Sequence, residues 1–393
     1  MISPVSATYI YPVSAPPIKN GVLTFDEQGA INGVFTAEEA RENQLKNVRH
    51  YEGLLAPGFV NTHCHLELSH LKDQIPQHTG LPEFVQLVIK LRNFNEQERE
   101  EAMAKADAVM YAQGIVAVGD ISNQPVTKHI KQHSELYYHT FLEIMGFRPE
   151  QADAIMERAK QLKAEFELLP VSLVPHAPYS VSAALFKVLA QYAAEAGGPI
   201  SIHNQETKDE NAFFEDKKGG FLGLFEFLGQ DIGFYQPSGK TSLQTYLPLL
   251  PPELKTLLVH NTYTSAADAA FAVSIHPNLY WCLCPRANLY IENRLPDVDM
   301  MRKAGLRITI GTDSLASNTS LDLLSELNVL QEHFSIPTEE LLKWATFNGA
   351  EFLGITEQFG SFEPGKQPGV NLLSFEEKDG TVILGNKLQR LLK

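Results

Sequence analysis

Pro57-Gly58-Phe59-Val60-Asn61-Thr62-His63-Cys64-His65 decides how the rest of the chain is read. Residues 58–61 form a short apolar run of strand type, and two histidines follow at once. On extended backbone, side chains at i and i+2 share a face, so His63 and His65 point the same way. Similar runs recur at 114–118, 137–142, 171–174, 199–202, 256–259, 279–282 and 307–310. Amphipathic helical patterns such as 100–111, 151–166 and 181–196 separate them. Eight strands in βαβα order predict an α/β fold, a (β/α)₈ TIM-type barrel rather than an open doubly wound sheet. No Gly-rich phosphate motif follows the first strand, which counts against a dinucleotide fold.

Both ends of the chain are rich in strand and turn residues. Ala7-Thr8-Tyr9-Ile10-Tyr11 and Gly21-Val22-Leu23-Thr24-Phe25 read as strands, with a hairpin connection at 26–31. Val370-Asn371-Leu372-Leu373 and Thr381-Val382-Ile383-Leu384 read the same way near the other end. The expected organisation is a composite β domain of residues 1–56 and 347–393 flanking a barrel of residues 57–346. Residues 207–245, rich in Gly and Phe, form a long insertion after the fifth strand, on the side where barrel enzymes carry their chemistry.

With 32 Lys plus Arg against 47 Asp plus Glu, the chain carries a formal charge of −15. That balance argues against nucleic acid or an anionic membrane surface as partner and leaves small molecules. No apolar run approaches the roughly 18 residues of a membrane helix, and the proline-bearing segment 1–17 has no basic start of the secretory kind. Three cysteines are too few for a disulfide framework, and a reducing cytoplasm is the expected location. Cys282 and Cys284 share a strand face without further thiols to complete a metal site, so core packing is their expected role, as it is for Cys64.

The ends of the predicted strands carry the reactive side chains. His63 and His65 follow strand one, His203 follows strand five, and Asp313 follows strand eight. Three imidazoles and a carboxylate make a nitrogen–oxygen site for one divalent metal, with Zn²⁺ favoured and Fe²⁺ its main competitor. Glu206, three positions after His203, suits a proton shuttle, and His260 at the end of strand six suits holding water or polarising the reacting group.

These residues carry a resemblance. The chain resembles the amidohydrolase superfamily, and within it the aminohydrolases that deaminate N-heterocycles such as cytosine, guanine, S-adenosylhomocysteine and aminodeoxyfutalosine. Beside the segment quoted above, the resemblance rests on Pro175-His176-Ala177-Pro178-Tyr179-Ser180, His203-Asn204-Gln205-Glu206-Thr207-Lys208-Asp209-Glu210 and Val259-His260-Asn261. Cys284-Pro285-Arg286-Ala287-Asn288 and Gly311-Thr312-Asp313-Ser314 complete it. It implies that His63, His65, His203 and Asp313 bind the metal. It makes Glu206, His260 and Asp313 catalytic, puts His176 on the substrate, and folds the termini into a small β-sandwich closed by residues 360–373. Binuclear members carry a bridging Lys on strand four. Here that strand reads Val171-Ser172-Leu173-Val174-Pro175-His176, which implies a mononuclear site. Arg286 departs from the small or neutral residue common in the group, and Pro368-Gly369 replaces its usual Ala-Asp.

The expected reaction is hydrolytic release of ammonia from an aminopurine-like ring. Arg148 after strand three and Arg286 after strand seven are expected to bind a carboxylate appendage, as in 6-aminodeoxyfutalosine or S-adenosylhomocysteine. Phe213, Phe214 and Phe221 of the insertion are expected to stack on a ring. The alternatives are hydrolysis of a cyclic amide or aryl chloride, a binuclear hydrolase, or a non-catalytic binding protein. A homodimer is the expected assembly.

Overall fold

The computed structural model describes residues 2–92 and 95–392, which leaves the outermost residues of the expected terminal domain, 1 and 393, outside the described residues. Eight parallel strands form as expected: Phe59–Cys64, Ile115–Ser122, Tyr137–Ile144, Val171–Pro175, Ile200–Asn204, Thr256–His260, Leu279–Leu283 and Ile308–Ile310. They are called strands one to eight below. All residues of strands one and two are buried, the condition that lets parallel strands read as near-continuous apolar runs. One set of side chains, including Val60, Ala117, Phe141, Val174, Leu257, Val259 and Cys282, forms an inner cluster. The alternate set, including Phe59, Val118, Leu142, Leu173, Ile202, Leu258 and Trp281, packs against the helices.

The strands pair as two sheets of four, one to four and five to eight. Hydrogen bonds cross both seams. Cys64 bridges Asp313, and the amides of Thr312 and Asp313 donate to His63 O at 3.0 and 3.1 Å. At the other seam the amide of His203 donates to His176 O at 3.0 Å. Helices alternate with the strands, among them Glu96–Ala112, Ala152–Glu165 and Ala183–Ala196. Their starts are capped by side chains: Asn95 accepts from Gln97 and Glu98 amides, and Ser182 from the Leu185 amide.

The termini share one seven-stranded sheet in the order Thr381–Leu392, Val370–Lys378, Arg49–Pro57, Val5–Ile10, Val22–Phe25 and Ile31–Phe35, with Ile18–Lys19 beside Val5–Ile10. The expected hairpin connection exists: Asp26 Oδ1 accepts from the amides of Gln28 and Ala30, both at 2.9 Å. The helix Phe347–Leu353, assigned by the sequence boundary to the terminal domain, packs against the parallel strands instead. Asn348 Nδ2 donates to Ile308 O at 2.7 Å, and a Cβ on Gly349 would lie 2.8 Å from Val60 Cγ1. The last strand ties the sheet to strand two, because Arg390 donates to the carbonyls of Tyr111 and Ile115 and lies over the Tyr111 ring.

The insertion carries three helices, Lys208–Asp216, Phe221–Phe227 and Ser242–Tyr246. Its phenylalanines make its own core. Phe213 stacks on Tyr235 with ring centroids 4.7 Å apart, and Phe221 on Tyr179 at 4.0 Å. Phe213, Phe214 and Phe221 pack there and do not line the cavity at the strand ends, so the expectation that they face a ligand is not met. All three cysteines are free and buried, with Cys282 and Cys284 sulfurs 3.9 Å apart. Among the described residues no helix is long and apolar enough to cross a membrane.

Candidate active site

The C-terminal ends of the parallel strands open into a cavity of about 590 Å³ lined by His65, His176, His203, Glu206, His260 and Asp313, among others. At its floor His63 Nε2 and His65 Nε2 lie 3.2 Å apart, and each is 3.4 Å from Asp313 Oδ1. Atoms bound to one ion at roughly 2.1 Å in tetrahedral geometry are separated by about 3.4 Å, so this triangle fits a divalent cation. All three residues are buried.

His203, from strand five, has a ligand atom within 4.8 Å of those of His63 and His260, and likewise of those of His65 and Glu143. Its Nδ1 lies 2.8 Å from His176 O and 3.2 Å from Glu143 Oε1, which directs the Nδ1 proton outward and leaves Nε2 for the cluster. Asp313 is held by a hydrogen bond from Ser317 Oγ to its Oδ2. His260 Nδ1 faces Asn288 Oδ1 at 3.1 Å, while its Nε2 lies 3.6 Å from Glu206 Oε1. Three site segments carry left-handed backbone at non-glycine residues: Gln205 (φ 45°), His260 (φ 74°) and Asp313 (φ 56°). Such conformations each cost roughly 1–3 kcal/mol and aim side chains that a regular strand would not.

The electrostatics agree with this arrangement at four imidazoles and oppose it at His203, where Glu143 favours the protonated ring. Burial holds the His63, His65, His176 and His260 imidazoles down to about 4, so they are neutral and able to ligate or accept at neutral pH. Burial also acts on Asp313, but the hydrogen bond from His63 and the neighbouring His65 and His260 imidazoles outweigh it and keep the acid well below its usual range. For His203, the burial effect is outweighed by Glu143, which raises the imidazole to about 10. Glu206 goes the other way. Burial lifts its carboxyl well above the ordinary value, opposed in part by His203 and reinforced by Asp313. The two neighbouring acids are thus pushed in opposite directions, the pattern that separates a proton-transfer group from a ligand.

The structure brings together His63, His65, His176, His203, Glu206, His260 and Asp313, all from strand ends. Arg148 lines the cavity near its mouth. Arg286 does not: its guanidinium donates to Ser320 Oγ at 2.7 Å and to Thr319 Oγ1, and its amide donates to Glu326. The cavity wall instead includes Arg92 and Arg158, which the sequence reading passed over. It also passed over Glu143, which follows the strand-end rule but lies just beyond the expected end of strand three. The apolar wall comes from Leu81, Phe84, Val85 and Val88 of the helix Leu81–Leu91, facing Leu224 and Phe225 of the insertion.

The sequence pattern of the amidohydrolase family matches residues 54–386, and the chain belongs to that family. Among curated relatives, an adenosine deaminase of Helicobacter pylori is 27% identical over 363 residues, covering 91% of this chain and 87% of the relative. A 5-methylthioadenosine/S-adenosylhomocysteine deaminase of Teredinibacter turnerae is 28% identical over 347 residues, covering 83% and 73%. The crystal structure of Helicobacter pylori aminofutalosine deaminase in complex with methylthio-coformycin superposes with a TM-score of 0.81 at 25% identity, covering 96% of this chain and 93% of that one.

Proposed function

We propose that this chain is a metal-dependent hydrolytic deaminase that removes an exocyclic amine, as ammonia, from an aminopurine nucleoside. The observation that carries the proposal is the buried triangle of His63, His65 and Asp313 with the Glu206 carboxyl in the same cavity. The deaminase relatives support it, as does the absence of a lysine from strand four, whose end carries His176 instead. His63, His65, His203 and Asp313 would hold one divalent ion, zinc by preference with iron as the alternative. When bound, such an ion supplies Lewis acidity that lets a water ionise near neutral pH.

The chain's own residues do the rest. Glu206 takes a proton from the attacking water and delivers it to the ring nitrogen as the adjacent carbon becomes tetrahedral. The C–N bond to the exocyclic amine then breaks, and the amine leaves as ammonia with the added hydroxyl's proton. His260, with Nδ1 on Asn288, turns Nε2 toward Glu206 and orients the attacking water together with Asp313. His176, neutral and lining the cavity, contacts the substrate. The walls around Phe84 and Phe225 exclude bulk water from the reacting ring. Arg148 at the mouth binds a carboxylate appendage, of the kind found in 6-aminodeoxyfutalosine or S-adenosylhomocysteine, with Arg158 lining the same cavity.

The same reading takes the two four-stranded sheets as a closed (β/α)₈ barrel and the terminal sheet as a small β-sandwich, whose second segment starts after the helix Phe347–Leu353. It places the protein in the cytoplasm, as a homodimer with no nucleic-acid or membrane partner.

Metal analysis of the purified protein, followed by an ammonia-release screen over aminopurine nucleosides, pyrimidines and pterins, tests the proposal. One metal per chain and release from an aminopurine nucleoside are expected. Release from no aminated heterocycle would refute it.

A further inference from the structure

Beneath the ligand strand lies an ion pair with no exposed surface on either side chain: Lys131 Nζ is 2.6 Å from Asp120 Oδ2. All three Lys131 donors are used, the others going to Ser122 Oγ at 3.1 Å and Thr140 Oγ1 at 2.9 Å. The Lys131 ammonium also lies over the Tyr138 and Phe166 rings, at 5.6 and 5.7 Å from their centroids. Burying two charges costs several kcal/mol of desolvation per ion, and apolar replacements of such pairs are often neutral or stabilising. Stability alone is a poor reason for this pair.

Its other contact points elsewhere. Asp120 Oδ1 accepts the backbone N–H of Leu66 at 2.8 Å. Strand one ends at Cys64, whose backbone pairs with Asp120 on one side and Asp313 on the other. His65 is the next residue, and the 3₁₀ turn Leu66–Leu71 begins directly after it with no side-chain cap from His65. The chain thus leaves the sheet at His65, and the first anchored group beyond is the Leu66 amide. A ligand held by backbone on one side only would swing about its own φ and ψ. With Leu66 pinned, His65 is held from both sides.

We infer that Asp120 is a positioning residue for the metal ligand His65, acting through the Leu66 amide, and that Lys131 balances its charge and fixes its orientation. The inference rests on the metal-site reading above. Carboxylates that hold metal ligands in place typically contribute about 10- to 100-fold in affinity.

Two double variants separate the acceptor from the ion pair. Lys131→Met with Asp120→Asn removes both charges but keeps an oxygen for the Leu66 amide. Lys131→Met with Asp120→Leu removes both charges and the oxygen. Zn²⁺ affinity is measured by chelator competition, and the Co²⁺ d–d spectrum reports ligand geometry. The Asn variant is expected within about threefold of wild type with the same spectrum, and the Leu variant is expected to lose about 10- to 100-fold with an altered spectrum. If the Leu variant does not fold, Lys131→Met with Asp120→Ser, whose hydroxyl is too short to reach Leu66, is expected to show the same loss. Equal affinities and spectra in the Asn variant and its acceptor-free counterpart would overturn the inference while leaving the metal site standing. A wild-type chain that binds no Zn²⁺ would overturn the metal site, and the inference with it.

Discussion

Glu206 is 4% exposed and shares its cavity with Asp313, yet burial raises the first carboxyl and the imidazoles lower the second. The two acids are therefore not interchangeable. Glu206→Gln preserves shape and removes the transferable proton, so metal content is expected to stay at wild type while ammonia release falls about 10²- to 10⁴-fold. Metal analysis and steady-state rates on the same preparation check this, and unchanged release would remove Glu206 from the reaction. Arg148 and Arg286 divide similarly. Arg148→Met is expected to lower kcat/KM about tenfold for a carboxylate-bearing nucleoside and to leave adenosine unaffected. Arg286→Met is expected to leave both unchanged, because its guanidinium is occupied by Thr319 and Ser320. The strand-end histidines and Asp313 were legible because apolar runs mark where a parallel strand stops. Arg286 was misplaced because its hydroxyl partners sit more than 30 positions away, at a distance no local pattern encodes. Glu143 follows its apolar run as directly as His203 follows its own, so the same rule made it legible.

Among the elements, the insertion after strand five is fastened by buried acids, Asp268 through Thr241 and Gln244 and Glu210 through Ser242. Glu210 Oε1 accepts the Gln205 amide at 2.9 Å and the Ser242 hydroxyl at 2.5 Å, joining the turn before Glu206 to the helix Ser242–Tyr246. Burial lifts this carboxyl from 4.5 to about 7, against the hydrogen bonds from Ser242 and Gln205. The unfolded chain releases the proton near 4.5 and the folded chain keeps it until about 7. Stability present below the lower value is thus lost as pH rises to the upper one, on the order of 3 kcal/mol in full. Glu210→Gln lacks this titration. Its unfolding free energy relative to wild type is expected to rise between pH 5 and 7 and to level off above, as read by urea unfolding at fixed metal concentration. A difference independent of pH would show that Glu210 does not titrate there. The site of the insertion was legible from its length and composition. Its helices were not, since their apolar faces close on Tyr179 and on the helix Leu81–Leu91, both remote in sequence.

Across the whole molecule, the two ends meet the parallel strands at a narrow seam. Gly114, with φ +76°, accepts a hydrogen bond at its carbonyl from Asn371 Nδ2 at 2.9 Å, and a Cβ there would lie 2.4 Å from the Asn371 side chain. Gly114→Ala combines a left-handed backbone with a steric clash and is expected to cost about 2–4 kcal/mol, read as a lowered Tm. Retained Tm would show that the seam yields without cost. The joint origin of the terminal sheet was legible from strand-type residues at both ends. Its register was not, because pairing between Arg49–Pro57 and Val370–Lys378 depends on contacts across most of the chain.

That pairing sets an order in time. During synthesis the strand Arg49–Pro57 finds its neighbour Val5–Ile10 early, but its other edge waits until Val370–Lys378 has been made, roughly 310 residues later. At about 5–20 residues per second that is roughly 15–60 s with an unpaired, apolar strand edge open to other chains. A ribosome stalled late in the message would release a chain with every proposed metal ligand and catalytic side chain in place and its stickiest edge uncovered. The hazard of an incomplete copy is aggregation rather than loss of chemistry.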